Sequence, residues 1–157
     1  MKRLCAVLAA LFVLAAAQTV FGAPEMITPG QSGTASNLIV VRKPESSSSA
    51  TTRTVYGITG IGSAGVKVSY YRFDGANYIA IKNSEGNVFE SSIGAAGVFY
   101  KQVTLGEGHN YFCVRAEDVY GNSQIVYFDI NVLNQDILEN IKAFTQDVQS
   151  VYNGWLN

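Results

Sequence analysis

The stretch 106–122, GEGHNYFCVRAEDVYGN, brings together the single histidine, a cysteine and two adjacent carboxylates. A histidine-activated nucleophile needs a partner in reach, and a His/Cys zinc site needs three or four ligands. This chain has no second histidine, and its other cysteine, Cys5, lies near the start. His109, beside Asn110 and just after Gly108, therefore reads as a solvated turn residue. Glu117 and Asp118 are neighbours at the end of a strand pattern, so they point to opposite sides and cannot converge on one atom. Asp118 with Gly121 and Asn122 reads as a structural turn: the carboxylate accepts backbone N–H groups and Gly121 supplies a positive φ. A calcium site drawing on Asp118 with Glu117 or Asp74 is the functional alternative, but the spaced run of acidic and amide ligands of a dedicated calcium loop is missing. No catalytic, cofactor-binding or metal-binding residue is assigned, and no cofactor is expected.

Paired carboxylates for glycoside hydrolysis could be drawn from Asp74, Glu85, Glu90 and Asp129, and the sequence selects none of them. The run GITGIGSAG (57–65) lacks the Gly-Lys-Ser/Thr ending and the following helix of a phosphate loop, and reads as a hairpin turn. Nine tyrosines remain. They are ordinary strand formers, yet those turned outward offer a rigid apolar face with a hydroxyl, suited to stacking on sugars or anchoring a protein. Tyr71, Tyr100 and Tyr111 are the candidates for such a contact surface.

These residues must be positioned by strands. In 111–117, Phe112, Val114 and Ala116 alternate with Tyr111, Cys113, Arg115 and Glu117, a half-buried strand. Similar segments run at 37–41, 52–56, 66–72, 78–82, 88–93, 98–105 and 124–132. In 98–105 the preferred inner face is Phe99 and Val103 with Leu105; in 124–132 it is Val126, Phe128, Ile130 and Val132. Glycine, asparagine, aspartate and serine turns separate them at roughly ten-residue spacing, which argues a sandwich or small barrel. The serine-rich run 46–52 reads as an inter-strand loop or a linker. At Asn134 the period changes: Ile137, Ile141, Phe144, Val148, Val151 and Trp155 recur at spacings of four and three, an apolar stripe on a helix capped by Asn134 and stopped at Gly154. That stripe either packs on the strands or docks another chain, including a second copy.

Lys2 and Arg3 precede an apolar run from 4 to 17 followed by small residues, the layout of an export signal cleaved after Gly22 or after Ala17. The domain plan is a signal peptide at 1–22, a flexible leader at 23–36, a β-domain at 37–133 and a C-terminal amphipathic helix at 134–155. Export removes Cys5 and leaves Cys113 without an intrachain partner, so the domain must hold itself by packing. It also leaves nine basic against twelve acidic residues. Without a basic cluster, nucleic acid and anionic membrane are poor partners, and no membrane insertion is expected after cleavage.

Between 37 and 132 the chain resembles the bacterial immunoglobulin-like modules of exported and cell-surface proteins. The resemblance rests on a strand ending in glycine, a Val-x-Val strand, and Gly97, Phe99, Leu105, Gly108, Asn110, Phe112, Val114, Ala116, Asp118, Gly121 and Asn122, in the order G-x-F, then L-x-x-G-x-N-x-Φ-x-V-x-A-x-D-x-x-G-N. It implies an all-β, immunoglobulin-like Greek-key β-sandwich of seven or eight strands, here followed by one C-terminal amphipathic α-helix. It carries over no catalytic residue, and such modules serve as spacers, adhesion units or accessory modules. The expectation is a secreted or cell-envelope, non-catalytic module binding an envelope protein or a glycan. Its alternative is a small glycan-directed envelope hydrolase using loop carboxylates.

Overall fold

Alternation along the chain settles which side chains turn inward. A computed structural model describes residues 22–155; in the terminal helix the side chains of Gln135, Ile137, Leu138, Ser150 and residues 153–155 fall outside that description. The expected signal, 1–22, lies outside the described residues apart from Gly22. Among the described residues ten strands and one helix follow in order: β1 (Met26–Ile27), β2 (Ile39–Lys43), β3 (Ser48–Thr51), β4 (Val55–Gly62), β5 (Lys67–Phe73), β6 (Tyr78–Ala80), β7 (Glu90–Ser92), β8 (Val98–Thr104), β9 (Gly108–Glu117), β10 (Ser123–Val132) and α1 (Gln135–Trp155). Seven strands form one sheet, in the order β1-β6-β5-β9-β10-β3 with β7 also on β5; β2-β4-β8 form the other.

The two sheets share one core. Ile39, Ile58, Phe99 and Val103 from the small sheet cluster with Val68, Tyr70, Phe112, Val114, Ala116, Phe128, Ile130 and Val132 from the large one. Tyr70 meets Phe99 edge-on at 6.4 Å across the sheets, and Phe112 stacks with Phe128 at 6.0 Å on adjacent strands. The architecture is thus sandwich-like, and the inner faces are those the alternation gives for 98–105, 111–117 and 124–132. Gln124 ties the layers at one margin: its amide oxygen accepts from Leu38 N and Ile39 N, and its amide nitrogen donates to Ile39 O.

Three local readings change. The serine-rich run 46–52 is not a loop throughout, because Ser48–Thr51 pairs in parallel with β10 over Asp129–Val132; its backbone supplies the edge pairing that its small side chains give no hint of. The glycine-rich run 57–65 is not one hairpin turn. Gly57, Gly60 and Gly62 lie inside β4, and only Ser63–Gly65 turns, with Gly65 at φ 87°. Glycine stands at 60 because a Cβ there would lie 2.3 Å from the Phe99 ring and 2.5 Å from Val40 O. His109 belongs to β9 and not to the turn before it.

The segment 23–36, expected as a leader, crosses the outer face of the large sheet. Met26–Ile27 pairs with β6, the Tyr71 hydroxyl donates to Pro24 O at 3.0 Å, and the Tyr127 hydroxyl donates to Gln31 O at 2.8 Å. Ile27, Tyr71, Ala80 and Cys113 are buried together beneath it, a second small core.

Asn134 caps α1, its side-chain oxygen accepting from Asp136 N at 3.0 Å. The helix runs through Gly154, the expected stop, to Trp155. Among the described residues, no helix is long and apolar enough to cross a membrane.

Replacing Gly60 by alanine forces Phe99 or the β2 backbone to move, and should cost about 1–3 kcal/mol. Urea unfolding checks this: the midpoint drops while the slope stays that of the parent.

Candidate interaction surface

Asp118 and Asp74 are tied into turns, and Glu117 into a buried ion pair. Asp118 Oδ1 accepts from Tyr120 N and Asn122 N, both at 2.9 Å, and Oδ2 accepts from Asn122 Nδ2 at 2.8 Å. Gly121 sits at φ 82°, closing the turn. The Asn122 side-chain amide, with the backbone N–H groups, holds the Asp118 carboxyl below its ordinary value of 3.8, and the N–H groups of Asn77 and Ala76 do the same for Asp74. Asp118, Gly121 and Asn122 thus form a tied turn whose tip, Val119 and Tyr120, stands 80% and 87% exposed. Glu117 is buried and paired with Arg115. Glu90 lies 4.0 Å from Lys67 and accepts from Ala23 N. Among the described residues, no group of three or more His, Cys, Asp or Glu side chains is arranged to hold a metal ion.

Asn110 does the corresponding work at the start of β9. Its side-chain oxygen accepts from Gly106 N at 2.8 Å, and its amide donates to Gly106 O and Gly108 O. Arg72 reaches the same oxygen at 3.2 Å and lies over the Phe112 ring.

His109 Nδ1 lies 2.7 Å from Asp129 Oδ2, and its ring stacks on Tyr111 at 5.9 Å. From there a row of rings crosses the large sheet's outer face, Tyr111 to Phe73 to Tyr78 to Tyr127, at centroid distances of 5.1 to 6.1 Å. Of the three tyrosines expected on a contact surface, Tyr111 is exposed in this row and Tyr100 is exposed on the small sheet, whereas Tyr71 is fully buried. Tyr71 does turn outward from the core as alternation requires, but the 23–36 segment covers it. Cys113, on the same face, is buried beside it, and burial pushes its thiol well above its ordinary value. Burial likewise pushes the Tyr70 hydroxyl up to about 12.

The small sheet's outer face is uncovered. Val40 pairs with Ile61, and Ile61 pairs with Val98, so three aliphatic side chains line up across β2, β4 and β8. They are exposed at 50%, 40% and 57%. Next along the strands, Tyr100 at 58% lies over Gly57, where a Cβ would come within 2.7 Å of the ring. A groove of about 420 Å³ flanks Tyr100, with Lys43, Arg53, Tyr56 and Gln102 among its walls. The contact residues expected on the helix are exposed where described, namely Ile141, Phe144, Val148 and Val151; the side chains of Ile137 and Trp155 lie outside the description.

Sequence reasoning missed Val40, Ile61, Val98 and the Val119–Tyr120 tip. Cross-strand register creates the aliphatic row, and nothing local encodes it. The tip, in contrast, was legible as two apolar residues inside the Asp118 turn.

No family model matches this chain, and no curated protein matches it.

Two outcomes follow from this geometry. Cys113 should stay unmodified by a thiol reagent at about pH 8 in the native protein and react once urea unfolds it; rapid native labelling contradicts the burial. Asp74 and Asp118 have depressed folded-state values, so their stabilisation is complete above the unfolded value and is lost as pH falls through the folded one. The melting temperature should therefore fall as pH drops from about 4 to 2, and fall less in the Asp74→Asn, Asp118→Asn double variant.

Proposed function

We propose that this chain is a non-catalytic, immunoglobulin-like module, exported or envelope-associated, that works by contact through the outer face of its three-stranded sheet. The observation that carries the reading is the row Val40–Ile61–Val98 with Tyr100 beside it. Neighbouring strands lie about 4.8 Å apart, so the row is a continuous apolar strip on a rigid scaffold. Scattered exposed aliphatics need no explanation, but a contiguous strip beside an aromatic anchor is what contact surfaces present. The strip favours a protein partner; the polar groove beside Tyr100 is where a glycan would bind instead.

The family reading draws support from the sheet order. The chain leaves the small sheet after β2 and enters the large one at β3, which runs parallel to β10 at its edge. The strands β2-β4-β8 then face β5-β9-β10, the layering that the sequence resemblance implies for a Greek-key sandwich. Tied turns at Asn110 and Asp118 coincide with the residues that carry the resemblance.

The hydrolase alternative calls for two carboxyls on one cleft, one of them held protonated. Asp74 and Asp118 are instead held ionised by turn N–H groups, and Glu90 pairs with Lys67. These assignments favour the contact reading.

The test is binding of the purified protein to arrays of envelope proteins and of glycans, followed by a Val98→Ser, Tyr100→Ala variant. We expect a hit among the proteins, weakened about tenfold or more by the variant with an unchanged melting temperature. A protein hit that the variant leaves intact would move the site elsewhere, and a glycan hit lost with Tyr100 would place a sugar in the groove.

A further inference from the structure

The segment that covers Tyr71 and Cys113 is held from its first residue. Glu25 O accepts from Ala80 N at 2.9 Å, Met26–Ile27 pairs with β6, and the Tyr71 hydroxyl donates to Pro24 O. Ala23 reaches further, to β7, where its backbone N donates to Glu90 Oε1 at 2.8 Å. The strands β6 and β7 follow one another along the same edge of β5, over Tyr71–Phe73 and over Lys67–Ser69. The chain therefore meets Glu90 by continuing past the end of β6. Ala23 is half-buried at this corner, and Gly22 before it is exposed.

Glu90 is short of a close cation. Lys67 Nζ stands 4.0 Å from Oε2, and Oε1 is taken by Ala23 N. The other charges facing this corner are matched: Arg115, which shares Ser69 as a cross-strand neighbour with Glu90, pairs with Glu117, and Lys82 pairs with Glu25 at 3.4 Å. A carboxylate gains most from a charged donor. An α-ammonium on residue 23 would be one, since an α-amine is largely protonated at neutral pH.

Residue 23 carries an ammonium only if the bond before it is broken, and the sequence offers a break there. The export-signal layout ends in small residues, with Gly22 directly before the bond and Val20 at the third position upstream. The other break the sequence allows, after Ala17, would leave residues 18–22 ahead of Ala23 and keep its nitrogen an amide.

We propose that the bond between Gly22 and Ala23 is the processing site of this chain, and that the freed Ala23 ammonium seats on Glu90, fastening the 23–36 segment over Tyr71 and Cys113. The proposal rests on the exported reading given above. The step is hydrolysis by an endopeptidase of the signal-cleaving class. The oxygen of water goes to the Gly22 carbonyl carbon, the C–N bond breaks, and both hydrogens of the water end on the Ala23 nitrogen, so that a carboxylate leaves with the signal and an ammonium stays. That ammonium forms where the amide N–H already points, and Glu90 then stands between two cations.

The experiment has two arms. In the first, the full chain is expressed in an exporting bacterium and recovered outside the cytoplasm, and its intact mass and first residues are read. We expect a chain beginning at Ala23. A chain beginning at Gln18 overturns the proposal and leaves the export reading standing; a chain that keeps residues 1–22 overturns both. The second arm measures how far Glu90→Gln lowers the melting temperature, in the mature chain and in a longer chain of Met followed by residues 18–157. An amine paired with an anion stabilises fully below its unfolded value of about 8, and the contribution is lost as pH rises through its higher folded value. The loss in the mature chain should therefore exceed that in the longer chain by about 1–3 °C at pH 6, and the excess should vanish by about pH 10, while the contribution of Lys67 cancels between the two chains. An excess that is absent at pH 6, or unchanged at pH 10, overturns the seat on Glu90. Neither arm needs a ligand, so failure here is told apart from failure of the contact reading.

Discussion

Everything in this β-domain depends on one strand facing two ways. β9 is hydrogen-bonded along both edges, to β5 and to β10, and its inward row of Phe112, Val114 and Ala116 fills the space opposite Ile58, Phe99 and Val103. Period-two alternation makes register all-or-nothing: a slip of one residue would put Cys113 and Arg115 into the core and Phe112 into water. The two turns that bracket β9 guard against that slip. Asn110 folds back on the carbonyls of Gly106 and Gly108, and Asp118 gathers the N–H groups of Tyr120 and Asn122. With Cys113 a free, buried thiol, packing and these polar ties hold the domain together.

The same economy explains where the polar chemistry goes. A carboxylate that accepts several N–H groups is stabilised as the anion and is poorly suited to deliver a proton. Asp74 and Asp118 are in that state, Glu117 is paired with Arg115, and His109 leans on Asp129. These side chains fix strand ends and the sheet margin.

The exposed apolar surface of the molecule is defined by what remains uncovered. The large sheet's outer face is partly closed by the chain's own 23–36 segment, which buries Tyr71 and Cys113 and leaves the ring row from Tyr127 to His109 along its border. Among the described residues, the aliphatic row on the small sheet's outer face and Ile141, Phe144, Val148 and Val151 of α1 are exposed. The strip on the small sheet stands on strands paired in register, so its shape is set by the sheet, which lowers the cost of ordering on binding.

Local chemistry was sufficient for the sequence to determine the elements and their inner faces. The alternation in 98–105, 111–117 and 124–132 marked the buried rows, the apolar spacing of four and three marked the helix, and Asp118 with Gly121 and Asn122 marked a turn, because each signal is written within a few residues. Tertiary structure decided what depends on distant neighbours. Glycines 57, 60 and 62 read as a turn because their composition is that of one; they are strand because the rings of Tyr100 and Phe99 and the side chain of Ile93 occupy the space where a Cβ would go. Ser48–Thr51 became an edge strand because β10 offered it unpaired backbone. Tyr71 turned outward as expected, and only the return of the N-terminal segment buried it. The strip Val40–Ile61–Val98 exists because three strands far apart in the chain pair in one register, and a pairing that sets residues 21 and 37 positions apart side by side leaves no trace in the order of the letters.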